Sequence, residues 1–400
     1  MEVNLLDRSL YAGDPFPAYR WLRANDPVHW DPASELWGLA SYHDVVWAET
    51  RPALLSSAQG SRPKTPPNPS MIDSDDPRHA RQRRLVYRGF TPRRVAEHEP
   101  HLRAIVTGLI DTVIEQGHCD FVADIAAPLP MIVIAEMLGV PPEDRDQLQH
   151  WSDVLISAAD GPEHVTAEVL TNAGEYYTYA NEVIEDRRGC PRDDLISILV
   201  HAEHEGERLT QEELFGESLL LLVGGNETTR NVISGGMEAL LAHPDQLDHL
   251  RRHPEDIPVA VEECLRWVTP IINMARTATE DLELRGKTIH AGEQVLLMYG
   301  SANRDEEVFP DADRFDRARQ PNPHIAFGFG GHFCLGASLA RLEIKVALEE
   351  VLARLPDLRL AGGAGAGGAG EGTGEGVRRT PSSFIRGIPS MPVEFTPSPR

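Results

Sequence analysis

Between positions 324 and 336 the chain reads His-Ile-Ala-Phe-Gly-Phe-Gly-Gly-His-Phe-Cys-Leu-Gly. Gly328, Gly330 and Gly331 precede Cys334, and Gly336 follows it. From 337 to 355 there is no Pro or Gly, and Leu339, Leu342, Val346, Ala347, Leu348, Val351 and Leu352 recur at a largely helical period. A cysteine therefore sits on a glycine loop that opens a buried helix. A free thiol titrates near 8.5, and a helix N-terminus or a metal lowers that value. The helix dipole and unpaired N–H groups of a first turn favour a negative sulfur. Glycines admit close backbone approach. A thiolate held this way beside Phe327 makes a proximal ligand for haem iron. The plain alternative for a lone cysteine is burial as a small apolar residue.

The stretch resembles the haem-binding loop of the cytochrome P450 family, F-G-x-G-x-H-x-C-x-G. Every fixed position matches: Phe327, Gly328, Gly330, His332, Cys334 and Gly336. The resemblance implies a mainly α protein with the P450 fold, a helical bundle with a smaller β-rich region. It implies one domain over 1–400, haem b as cofactor, and Cys334 as the ligand of the iron.

Composition is compatible with this and narrows the alternatives. The net charge of −24 argues against nucleic acid as a partner. The cysteines Cys119, Cys190, Cys264 and Cys334 show no C-x-x-C spacing, so neither a zinc motif nor a disulfide framework is expected. The first twelve residues do not read as a signal peptide. The longest apolar stretch, 125–140, contains Pro128, Pro130 and Glu136 and is too broken to span a bilayer. A cytoplasmic protein without a membrane anchor is expected.

A short helix over 18–24 precedes a hairpin of 28–30 and 36–39, and 53–72 reads as one long loop, which in the family lies over the substrate. From Arg78 to Arg94 there are seven arginines and no acid. His79 and Arg83, at i,i+4, share a helix face. In the family this pair contacts haem propionates, and the outward arginines are suited to an acidic electron-transfer partner. Helices with polar breaks are expected over 99–208, with the roof of the pocket at 151–179.

Thr210 and Glu213 make a capping box for a long helix that is apolar all round in its first half. Gly224 and Gly225 in its middle cost about 1 kcal/mol each, a local inconsistency that marks function. They leave room for a flat ligand. Thr228 can bond back one turn and distort the helix. The family has A/G-G-x-D/E-T here. The match assigns Glu227 and Thr228 to proton delivery and oxygen stabilisation, Gly225 to the cofactor, and Val223 and Asn226 to substrate.

Glu263 and Arg266 match the family's E-x-x-R pair, with Arg314 the better third member and Arg319 the lesser. After Pro270 an extended segment puts Ile271, Ile272 and Met274 toward substrate and Arg276 on a propionate, by the same resemblance. Strands are expected at 282–284 and 294–298. A Gly/Ala-rich run, 361–376, reads as a flexible insertion. The segments 383–388 and 391–395 resemble a final hairpin whose turn, with Phe384 and Ile385, reaches the pocket.

The resemblance thus implies a haem-thiolate monooxygenase that inserts one atom of O2 into an apolar substrate, with electrons from a ferredoxin and its reductase. The run Gly-Gly-Asn-Glu-Thr-Thr-Arg at 224–230 and Ser-Gly-Gly-Met at 234–237 is similar to actinobacterial P450s that hydroxylate the side chain of cholesterol and cholestenone. Hydroxylation of a polyketide, terpenoid or peptide is the alternative. A haem-binding sensor or carrier is the alternative of another class, and it has no need of Glu227-Thr228.

Overall fold

The computed structural model describes residues 1–362 and 377–400. Pro17 sits near the start of α1 (Phe16–Asn25), where its missing N–H costs nothing. Strands β1 (Val28–Asp31) and β2 (Leu36–Leu39) pair antiparallel, Val28 opposite Leu39. The Ser41 hydroxyl accepts from the Asp44 N–H and so caps α2 (Tyr42–Glu49). There follow β3 (Leu55–Ser56), α3 (Arg78–Tyr87), α4 (Glu99–Val113), α5 (Pro128–Leu138), α6 (Arg145–Ser157) and α7 (Ala167–Gly189). Next come α8 (Gln211–Leu241), α9 (Ile257–Val268), β4 (Met274–Ala278), β5 (Gln294–Leu297) and α10 (Ala337–Arg354).

The expected capping box is present, with Thr210 and Glu213 each bonding the other's backbone N–H. Helix α8 crosses the interior, against α5, α9 and α10. Its second glycine pair has a packing cause. A Cβ on Gly235 would meet Val268 at 2.8 Å, and one on Gly236 would meet the Cys264 sulfur at 2.9 Å. The main core gathers the helices, and two smaller clusters lie around the sheet.

The sheet has the order β1-β2-β5-β4-β3. Strand β5 runs parallel to β2, with Trp37 opposite Val295, and antiparallel to β4, with Met274 opposite Leu297. Several expectations are corrected here. The loop 53–72 contains strand β3, because Leu55 and Ser56 find open ladder groups on Ala278 and Thr277. The small hairpin is 282–284 with 287–289, turned at Arg285 and Gly286 (φ 49° and 74°), so β5 is free to join the large sheet. The C-terminal segments do not form a hairpin with each other. Ile385 bridges Ile271, while Pro392–Glu394 pairs with His118–Asp120 and Arg359–Leu360. Of the Gly/Ala-rich run, 363–376 lies outside the described residues.

Below α8, Glu263 and Arg266 are both fully buried and joined by two bonds, 2.7 and 2.8 Å. The third member is Arg319, not Arg314. Arg319 Nε lies 3.1 Å from Glu263 Oε2, whereas Arg314 contributes its backbone carbonyl and leaves its side chain exposed. The arginines of 78–94 are also mostly engaged from within. Arg78 and Arg81 turn to Glu213, Arg94 to Asp193 and Arg88 to the Glu203 carbonyl. The side chains of Arg78, Arg93 and Arg94 stay exposed beside their acidic partners.

Candidate active site

A cavity lies between α8 and the Cys334 loop. Its atom-free space, counted out into the solvent at its mouth, is about 1470 Å³. The loop is closed by the Cys334 N–H donating to the Phe327 carbonyl at 2.8 Å. Gly328 and Gly330 take φ of 70° and 68°, and a Cβ on Gly330 would stand 2.7 Å from the Glu49 carbonyl oxygen. Cys334 therefore arrives deep in the protein, half-buried only because it faces the cavity. Burial pushes its thiol up, against the downward pull of the Gly336 and Ala337 N–H groups and of Arg83 and Arg341. Desolvation outweighs the helix terminus here. A bound metal reverses that balance, because a coordinating thiol is deprotonated outright.

The cavity edge collects His79, Arg83, Arg276 and His332. Arg83 donates to the Phe333 carbonyl at 2.6 Å. The His79 and His332 rings lie 4.1 Å apart. Burial drives His332 down to about 3, with Arg276, His79 and Arg83 adding to it, so the ring is neutral. Burial also lowers His79, whose Nε2 is buried with no hydrogen-bond partner. Two arginine charges and two neutral imidazoles thus converge on one edge.

Helix α8 faces the cavity with Leu220, Leu221, Gly224, Gly225, Thr228 and Val232. A Cβ on Gly224 would meet nothing nearer than Leu220 of the same helix, at 4.0 Å, so the wall there is flat and open. The Thr228 hydroxyl donates to the Gly224 carbonyl at 2.8 Å, as the sequence implied. Among the substrate candidates, Ile271 and Met274 line the cavity, beside Met71 and Ile72.

Six other candidates lie off the cavity wall. Val223 and Asn226 sit on other faces of α8, and the Asn226 amide donates to the Ser152 hydroxyl of α6 at 3.2 Å. Ile272 is buried in the core around Tyr11 and Tyr19. Phe384 lies under the Arg62 guanidinium at 4.0 Å, and Ile385 is taken by its bridge to Ile271. Glu227 is buried behind Thr228, paired with Arg230, whose other nitrogen reaches Asp153 at 3.3 Å. Burial pushes the Glu227 carboxyl up to about 8.

The cavity also contains three titratable residues that the sequence reasoning missed. Glu49 and Tyr299 come from distant elements, and nothing local marked them. Glu343 had a signal: an acid on the apolar stripe of α10, between Leu339 and Val346. It is buried, its Oε2 has no partner, and burial pushes it up to about 8.

The Cytochrome P450 family profile matches residues 257–356. The chain is 47% identical to the steroid C26-monooxygenase of Mycobacterium tuberculosis, over 100% of this chain and 98% of that protein. It is 40% identical to the methyl-branched lipid omega-hydroxylase of Mycobacterium bovis, over 95% and 90%. The crystal structure of CYP109E1 from Bacillus megaterium in complex with testosterone superposes with a TM-score of 0.87 at 35% identity, covering 97% of this chain and 99% of that one. The chain belongs to the cytochrome P450 family. It is a haem-thiolate monooxygenase and its cofactor is haem b.

The residues present fit that group. A flat, open wall at Gly224 suits a planar macrocycle, one soft sulfur faces the space, and two arginines with an orphaned imidazole nitrogen suit its carboxylates. Among the described residues no helix is long and apolar enough to cross a membrane.

Proposed function

We propose that this P450 hydroxylates the end of the side chain of a steroid or a methyl-branched lipid. One observation carries the reading. The cavity wall is built largely from apolar side chains, Met71, Ile72, Leu220, Leu221, Ile271 and Met274 among them, which suits an apolar substrate. The names of the relatives, a steroid C26-monooxygenase and a lipid omega-hydroxylase, point to the same chemistry.

In this reading Cys334 binds the iron as thiolate, between Phe327, Gly328 and Gly336. His79, Arg83, Arg276 and His332 hold the propionates, the arginines as charge partners and the imidazoles as hydrogen-bond partners. Gly225 lines the same cavity beside Ile134 and would adjoin the group. When bound, haem with a thiolate ligand supplies the oxidation of a C–H bond by O2. One oxygen atom enters the substrate and the other leaves as water, with two electrons and two protons consumed. Thr228 spends its proton on the Gly224 carbonyl, so its lone pairs face the cavity and orient water there. Burial raises the Glu227 carboxyl, which suits it as the proton reserve one residue behind Thr228. Electrons come from a ferredoxin and its reductase in the cytoplasm. The exposed Phe329 and Phe333 on the Cys334 loop offer that partner a face.

Titration with cholest-4-en-3-one tests the substrate. The expected result is a saturable type I spectral shift and, on turnover, a product oxidised at the terminal side-chain carbon. No shift with this steroid or with a methyl-branched fatty acid would refute the reading.

A further inference from the structure

The propionate edge carries an acid that the haem-binding assignment does not use. Glu49 closes helix α2, and its side chain is 2% exposed. Its carboxylate lines the same cavity as Cys334. Oε2 lies 3.0 Å from Arg276 Nη2, and Oε1 accepts from the Tyr299 hydroxyl in a short bond. Burial opposes the Arg276 charge, but the Glu49 carboxylate counters it, and the pKa of Arg276 is held above the ordinary value. Burial and the Glu49 charge push Tyr299 far up, so the phenol keeps its proton and donates. The backbone of Glu49 is tied in as well, since only a glycine at 330 clears its carbonyl.

The arrangement has an electrostatic consequence. Arg276 must serve two carboxylates, that of Glu49 and that of a propionate. Glu49 thereby cancels part of the positive charge that would otherwise face the haem, in an interior where charges are weakly screened. A fixed negative charge beside the haem disfavours adding an electron to it.

We infer that Glu49 is a positioning residue for the haem, a built-in carboxylate that clamps Arg276 and Tyr299 at the propionate edge and lowers the reduction potential of the iron. The inference rests on the haem-binding reading and goes beyond it, for it assigns a redox role to a residue outside the haem motifs. Glu49 acts through Arg276 and does not itself touch the reacting atoms. One of its oxygens has a guanidinium as partner and the other a phenol.

The test is spectroelectrochemical titration of the substrate-free holoenzyme at pH 8, comparing wild type with Glu49→Gln and Tyr299→Phe. Glu49→Gln keeps the shape and removes the charge. It should raise the midpoint, changing the ratio of reduced to oxidised haem several-fold at a fixed potential, where tenfold corresponds to about 59 mV for one electron. Tyr299→Phe keeps the charge and removes its donor, so it should move the midpoint the other way. Glu49→Asp, which retains the charge, should move it less than Glu49→Gln. A Glu49→Gln holoenzyme with an unchanged or lowered midpoint overturns the inference. If that variant does not retain haem, Tyr299→Phe decides: a lowered midpoint supports the inference and an unchanged one overturns it. A wild-type protein that takes up no haem would instead sink the underlying haem-binding reading.

Discussion

Replacing Arg319 by alanine should destabilise this enzyme, and replacing Arg314 should not. Arg319 is buried at 8% exposure. Its Nε faces Glu263 at 3.1 Å, its Nη1 donates to the Pro310 carbonyl at 2.7 Å, and its Nη2 donates to the Asp311 and Arg314 carbonyls at 3.2 and 3.0 Å. Removing one partner of a buried ion pair costs about 3–5 kcal/mol. Glu263 keeps both bonds from Arg266, so the expected loss lies near the low end, about 3 kcal/mol. That is about a hundredfold in the folding equilibrium and a large share of the ~5–15 kcal/mol that holds a domain. The damage should reach the haem loop, because Arg266 also binds the Asn303 carbonyl and the Asn303 side chain accepts from the Ile325 N–H at 2.8 Å. Urea unfolding of both variants, followed by tryptophan fluorescence and haem absorbance, measures the effect. Arg314→Ala should stay within about 0.5 kcal/mol of wild type, as exposed substitutions do. Equal losses in the two variants, or an Arg319→Ala protein as stable as wild type, would refute the argument.

Cys334→Ala should fold, yet its reduced carbon monoxide complex should lack the red-shifted band of thiolate ligation. Thr228→Ala loses one hydrogen bond, about 1 kcal/mol, and should waste electrons, seen as less product per NADPH and more peroxide. Gly236→Ala drives a methyl onto Cys264 and should cost about 1–3 kcal/mol. Gly224→Ala meets open space within the protein but puts a methyl on the wall that suits the macrocycle, so it should weaken haem binding severalfold in a haem titration. Glu343 holds its proton in the folded protein up to about pH 8 but ionises near 4.5 when unfolded. Its contribution is therefore intact at low pH and is lost at about 1.4 kcal/mol per unit as pH rises between those values. Glu343→Gln should flatten that decline in urea midpoints measured from pH 5 to 8, and a slope identical to wild type would count against it.

The thiolate loop, the capped central helix with its glycines and threonine, and the His79–Arg83 face were all legible before any coordinates. Each is a local pattern, a few residues apart on one element, and spacing carries it. The strand at Leu55, the fate of the C-terminal segments and the off-cavity placement of Ile272 and Asn226 were not. These depend on which face meets which neighbour, and a one-residue change of face reverses a side chain's role.

The same division separates the acids of the site. Glu227 stands beside Thr228 in a recognisable run, but only packing shows that Arg230 and Asp153 hold it off the cavity. Glu49 meets Arg276 and Tyr299 across 227 and 250 residues, and Arg319 rather than Arg314 reaches Glu263 because the irregular chain between 303 and 323 turns one inward and the other out. Order along the chain determined the cofactor loop and the helix above it. Burial, which sets both the electrostatic cost of a charge and who its partner is, was decided in three dimensions.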